Sequence, residues 1–224
     1  EDHAFNDSTW NVTYVDSHDY SPDFCQNVRY IGGEQAWAEN MDLMWTFRGI
    51  PCIYYGSEIQ FQAGQLIDVG PNAPLSTTGR AYFGDNITGN VTATGFGTYA
   101  NASGNVQTTL NKLLAKHLQQ LNMIRRAVPA LQKGQYTTDN VSGGNIAFTR
   151  RYTANGVDSL ACVAISGGAT FRNLPNGTYV DAVTGERQTV SNGTLTVGNI
   201  AKANMRVFVL NGPGKIGTNG TYLK

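Results

Sequence analysis

Two short polar clusters hold the residues best suited to chemistry in this chain. Asp16-Ser17-His18-Asp19 ends the β-branched and aromatic run Val12-Thr13-Tyr14-Val15, and Ser57-Glu58 follows Tyr54-Tyr55-Gly56. A carboxylate beside an imidazole can accept a hydrogen bond from a substrate hydroxyl or stabilise developing positive charge. Groups of this kind gather at the C-terminal ends of parallel strands, where the loops of α/β sheets and barrels converge. Plainer roles are open to the same residues. His18-Asp19 would serve as a loop or helix cap, and Glu58 as a solvated loop charge. His3 and His117 read as surface residues, and no His/Asp/Glu spacing resembles a metal site.

The elements that must position these clusters follow from periodicity. Val12–Asp16 reads as a strand. Residues 34–47 are helical in pattern, with Ala36, Trp37, Met41, Met44 and Trp45 on one apolar face and Gly49 as a stop signal. The nearly continuous apolar run 50–56 predicts a parallel strand buried on both faces. Strand, helix, strand in this order is a βαβ unit with a right-handed crossover. Residues 62–106 are rich in Gly, Asn, Thr and Pro and read as one long functional loop. Residues 108–128 predict a long amphipathic helix carrying Leu110, Leu113, Leu114, Leu118, Leu121 and Ile124, ended by Pro129. After Gly134 the pattern changes to short alternating runs separated by Gly143-Gly144, Asn155-Gly156, Asn176-Gly177 and Asn192-Gly193. Such turns predict an antiparallel β-sandwich. The expected division is a barrel-like part over 1–133, a β domain over 134–214 and a linker or tail over 215–224.

Composition narrows the function. The 224 residues include 16 Lys+Arg and 16 Asp+Glu, and only 14% are charged, against about 25% in an average soluble domain. A neutral chain without clustered Lys/Arg lacks the footprint of a nucleic-acid binder, and no apolar run is long enough for a membrane helix. Asn-x-Ser/Thr occurs at Asn6, Asn11, Asn86, Asn90, Asn101, Asn140, Asn176, Asn192 and Asn219. In a eukaryotic secreted chain these are glycan acceptors; Asn/Thr/Gly-rich loops also produce such triplets by composition. Cys25, Cys52 and Cys162 allow at most one disulfide and form no CxxC motif. No signal peptide opens the sequence, and the chain reads as a piece of something longer.

At the level of motifs, Tyr14-Val15-Asp16-Ser17-His18-Asp19 resembles the stretch around the third catalytic carboxylate of the α-amylase family of glycoside hydrolases, with Ser17 where that family usually has Asn. Gly49 to Glu58 resembles the family's strand-eight motif, Gly-x-Pro-x-x-Tyr-Tyr-Gly-x-Glu, at every fixed position, and Leu118 to Tyr136 resembles its last barrel helix entering domain C. The resemblance implies an α/β plus all-β fold: the C-terminal part of a (β/α)8 TIM barrel followed by an antiparallel β-sandwich, domain C. It further implies a secreted enzyme that cleaves α-1,4-glucosidic bonds of starch or maltooligosaccharides with retention.

By the same resemblance Asp19 is the third carboxylate and His18 its sugar-binding neighbour. Tyr20 would stack on a glucose ring, and Asp68 and Arg80 would reach outer sugar subsites. No cofactor or metal is expected in this segment, although calcium is possible in a full-length enzyme. The family's nucleophile and acid/base lie on upstream strands, and only 18 residues precede Asp19. The chain is therefore expected to be a C-terminal fragment, with the upstream fragment of the same enzyme as its partner. Alone it is expected to be inactive and marginally stable, since two strands cannot close a barrel. A cyclodextrin glycosyltransferase-like glucanotransferase and a non-catalytic carbohydrate-binding piece are the alternatives.

Overall fold

Val12–Thr13 (β1) and Ile50–Pro51 (β2) lie side by side in parallel register in the computed structural model, which describes residues 4–19, 27–71, 74–95 and 97–224. The helix Glu34–Thr46 (α1) lies between them in sequence, as a βαβ unit requires. Both strands are shorter than their apolar runs. Val12 and Ile50 are 56% and 43% exposed, so the expected burial on both faces is not met. A parallel pair is covered only when further strands and helices flank it, and among the described residues this sheet has two strands.

α1 buries Trp37, Met41, Met44 and Trp45 of the face its periodicity predicts and Ala38 besides, while Ala36 is only partly buried. Its C-terminal carbonyls would be left without partners by the helix itself. Two arginines from distant elements supply donors. Arg125 donates to the carbonyls of Trp45 at 2.7 Å, Phe47 at 3.2 Å and Gly49 at 2.5 Å. Arg150 donates to Thr46 at 2.7 Å. Burial lowers Arg125 to about 10, so it stays cationic at neutral pH and favours the negative end of the helix dipole.

The expected long loop is partly regular. It contains the hairpin Asn90–Gly95 (β3) and Thr98–Ser103 (β4) and runs at its end into the short helix Asn105–Leu110 (α2). The expected 108–128 helix is split. The chain turns at Asn111-Lys112 and resumes as Leu113–Ala127 (α3). Pro129 opens Pro129–Lys133 (α4), where a missing N–H costs nothing.

Nine strands complete the fold: Gln135–Thr137 (β5), Val141–Ser142 (β6), Ile146–Ala154 (β7), Val157–Ile165 (β8), Ala169–Phe171 (β9), Gly177–Asp181 (β10), Arg187–Val190 (β11), Leu195–Val197 (β12) and Met205–Leu210 (β13). They form an antiparallel six-stranded sheet, β11-β10-β13-β8-β7-β5, and a three-stranded sheet, β12-β9-β6. Asn155 and Gly156 take φ of 52° and 75° at the β7–β8 turn, the pair of positive values a tight hairpin needs. β5, β6 and β11 are too short or too polar to show in the sequence pattern.

The six-stranded sheet is covered on both faces. Leu160, Cys162, Ala164 and Phe208 pack with Phe171, Leu195 and Val197 of the smaller sheet. Ala161, Val163, Ile165 and Val207 pack with Trp37, Met41, Leu121 and Leu131 of the helices. The strand period of two sends alternate residues of β8 to the two layers, and the helices and sheet share one core. Residues after β13 fold back onto it: Leu223 is buried, and the Ile216 N–H donates to the Ala182 carbonyl at 2.8 Å.

His117 corrects the sequence reading. It is buried on α3 with Nε2 2.8 Å from Asp42 Oδ1 on α1. It continues the series Leu114, Leu121 and Ile124 at helical spacing, so the signal was present. Burial pushes the Asp42 carboxyl up to about 6, outweighing the pull of His117. The folded state therefore holds this proton more tightly than an unfolded chain, whose carboxyl titrates near 3.8. That stabilisation is complete below about pH 4 and is lost as pH rises through about 6. Thermal midpoints measured across this range should fall with rising pH, and Asp42→Asn should flatten the slope; equal slopes in both proteins would refute the assignment.

Candidate active-site edge

Because β1 and β2 are parallel, both polar clusters emerge at the same edge of the sheet. Asp16 turns inward and is buried. Its Oδ2 accepts from Ser57 Oγ at 2.5 Å, so the ends of the two strand segments are directly joined. Ser57 Oγ in turn accepts from Arg29 Nη2 at 3.0 Å. Arg29 also donates to the carbonyls of Tyr55 at 2.9 Å and Gly79 at 3.0 Å, and its guanidinium lies 4.3 Å from the Tyr54 ring centre. Burial raises the Asp16 carboxyl, while the Ser57 hydrogen bond and the Arg29 charge oppose it. Asp16, Ser57 and Arg29 form the buried tie beneath the site.

His18 and Asp19 face solvent, with side chains 67% and 69% exposed. His18 Nε2 is 3.3 Å from Asp19 Oδ2, and Ser17 Oγ accepts from the Asp19 N–H at 3.0 Å. Arg80, from 62 residues further along, donates from Nε to the His18 carbonyl at 2.8 Å. Its other nitrogens lie 3.6 Å from Asp19 Oδ1 and 4.0 Å from Asp68 Oδ1. Four candidates singled out from the sequence, His18, Asp19, Asp68 and Arg80, thus meet at one place. Tyr20 lies outside the described residues, as do Cys25 and His3. Cys52 and Cys162 are free thiols.

A depression of about 300 Å³ opens beside this cluster, lined by Tyr14, Asp16, Ser17, His18, Asp19 and Tyr54 among others. Tyr54 packs edge-on against Tyr55, with ring centres 4.5 Å apart, and Tyr55 continues into Phe61 and Phe83. Glu58 is not the solvated loop charge considered from the sequence. Among the described residues its buried Oε2 has no hydrogen-bond partner, and burial raises its carboxyl, which favours the protonated form. Arg29 carried no sequence signal, because its acceptors Tyr55 and Gly79 lie 26 and 50 residues along the chain.

The edge combines an exposed carboxylate, an imidazole and a guanidinium beside aromatic faces. Such a set can accept and donate hydrogen bonds to hydroxyl groups and stack on an apolar sugar face. Among the described residues no cluster of three or more His, Cys, Asp or Glu side chains is arranged to hold a metal ion.

A parallel βαβ unit joined to an antiparallel β domain, with polar groups at the C-terminal strand edge, fits the C-terminal part of a barrel followed by a β domain. No family model matches the chain. It is 30% identical over 180 residues to a cyclomaltodextrin glucanotransferase of Paenibacillus macerans, covering 78% of this chain and 20% of that protein. A second such enzyme from the same organism is 27% identical over 195 residues, covering 84% of this chain and 21% of its own length. Among solved structures, an α-amylase from Malbranchea cinnamomea matches with a TM-score of 0.54 and 17% identity, covering 92% of this chain and 38% of that one. A cyclomaltodextrin glucanotransferase with a three-domain ABC distribution matches with a TM-score of 0.51 and 17% identity, covering 93% and 38%. These likenesses are consistent with a C-terminal portion of an α-amylase-family protein; the chain spans about a fifth of the length of the curated relatives it matches.

Proposed function

We propose that the chain supplies barrel strands seven and eight and domain C of a secreted α-amylase, which hydrolyses α-1,4-glucosidic bonds in starch or maltooligosaccharides with retention of configuration. The observation that carries this reading is the meeting of His18, Asp19, Asp68 and Arg80 at the C-terminal edge of the parallel pair. In the complete site Asp19 stabilises the positive charge of the oxocarbenium-like transition state and accepts sugar hydroxyls. His18 hydrogen-bonds the same sugar, and Asp68 and Arg80 contact outer subsites. A retaining glycosidase also needs a nucleophile and an acid/base. Both are assigned to an upstream segment of the enzyme, and the exposed Val12 and Ile50 suit strands that continue into the rest of a barrel. We assign no metal to this chain; calcium binding by the complete enzyme would draw on residues outside it.

A second reading is supported by the names of the two curated relatives, both glucanotransferases. Hydrolysis and transfer share the glycosyl-enzyme intermediate and differ in whether water or a sugar hydroxyl resolves it. One experiment addresses both. The chain is assayed on soluble starch alone and after mixing with the upstream segment, and the products are separated. No turnover is expected from the chain alone, and reducing maltooligosaccharides are expected from the mixture. Turnover by the chain alone would refute the fragment reading, cyclic products from the mixture would establish transfer, and glucan binding without turnover in either case would leave a non-catalytic module.

A further inference from the structure

The surface asparagines point to a modification independent of the catalytic reading. The chain has 21 Asn and 33 Ser+Thr among 224 residues, which would place about three asparagines in Asn-x-Ser/Thr triplets by chance; nine are found there. None of the nine is buried, and seven are exposed.

The hydrogen bonds separate these asparagines from the others. Among the described residues, seven of the eleven asparagines outside such triplets donate from Nδ2 to a protein acceptor: Asn40, Asn105, Asn111, Asn145, Asn155, Asn173 and Asn204. Within the triplets only Asn86 does, to the Phe83 carbonyl at 3.1 Å. Where the others are held, the oxygen is used instead. Asn140 Oδ1 accepts from Asn173, Asn192 Oδ1 from the Thr194 N–H, and Asn219 Oδ1 from Lys215. The nitrogen is the atom an N-linked glycan substitutes, and these side chains leave it free. On the β3–β4 hairpin, Asn90 pairs with Ser103 and Asn101 with Thr92. Two acceptors and both their hydroxyl residues therefore share one face of an exposed ribbon.

We infer that the protein is N-glycosylated, with Asn90, Asn101, Asn140, Asn176, Asn192 and Asn219 as acceptors. In the transfer, Asn Nδ2 forms a bond to C1 of the N-acetylglucosamine that ends an oligosaccharide carried on a polyprenyl diphosphate. The C1–O bond breaks, the lipid diphosphate leaves with the electron pair, and one amide proton is lost to a base. Glycans would add hydration to a chain of which only 14% of the residues are charged.

The test uses protein purified from its own organism. Digestion with peptide-N-glycosidase in heavy-oxygen water converts each glycan-bearing Asn to labelled Asp, which peptide mass spectrometry locates. A fall in apparent mass and label at most of the six positions are expected. Unmodified peptides at most of the six, or label confined to Asn86, would overturn the inference. Thr92→Ala and Ser103→Ala, made in the same host, should abolish label at Asn90 and Asn101 while keeping both asparagines; label that persists in these variants would show spontaneous deamidation and overturn the inference equally.

Discussion

Asp19→Asn in the enzyme completed by its upstream segment is expected to lower kcat on soluble starch by about 10²–10³-fold, the usual cost of removing one preorganised electrostatic group, with a much smaller change in KM. The substitution preserves shape and the ability to hydrogen-bond His18, which sits 3.3 Å away. It removes only the charge. A carboxylate that acts on developing positive charge is needed most in the transition state, so kcat and kcat/KM should fall together. If Asp19 only gripped the ground-state sugar, KM would rise and kcat would stay near the wild-type value. Steady-state kinetics on soluble starch distinguishes the two, and a kcat within about threefold of wild type, far short of this cost, would sink the assignment. Because the side chain is 69% exposed in this chain, the variant should fold as the wild type does, and thermal denaturation checks that directly.

The largest expected effect on stability lies far from the site. Arg150 is fully buried on β7. Its Nε and Nη2 donate to the Gly134 carbonyl at 3.1 and 2.8 Å, and its Nη1 to Thr46 at 2.7 Å. It thus fastens the ends of α1 and α4 to the sheet. Arg150→Ala leaves these two carbonyls without that donor in a dry core. At about 1–3 kcal/mol for each unsatisfied group, the loss is roughly 2–6 kcal/mol before any cavity is counted. For a chain of this size each kcal/mol moves the midpoint by about 2–4 °C, so a fall on the order of 10 °C is expected. Arg150→Lys should recover part of it, since one ammonium cannot reproduce the two-sided fork. A midpoint change of less than about 3 °C on alanine substitution, roughly 1 kcal/mol, would show that water or relaxation satisfies the carbonyls.

The site was more legible than the fold around it. His18, Asp19 and Glu58 were singled out because they follow apolar runs, and strand ends are where loops converge. Asp68 and Arg80 came from a stretch without periodicity, and only the folded chain shows that Arg80 crosses 62 residues to hold the His18 carbonyl. Within the cluster, Asp16 and Asp19 are three positions apart and of the same residue type. The fold gives them opposite roles, one buried beneath Ser57 and one open to solvent. The hairpin at 90–103 escaped the pattern reading because most of its residues are exposed, so no strong contrast between apolar and polar positions marks it.

By itself the sequence determined what depends on neighbours along the chain: the apolar stripe of α1, the Asn155-Gly156 turn, the apolar run of β13 and the polar groups at two strand ends. Helical and strand periods and turn chemistry act over a few residues, so a linear reading captures them. The tertiary structure alone decided the break at Asn111-Lys112, the His117–Asp42 pair, the burial of Arg29 and Arg150, and the joining of Arg80 to Asp19. Each depends on a donor meeting an acceptor from a distant segment in a low-dielectric interior or at a shared edge, a distance that local spacing does not encode.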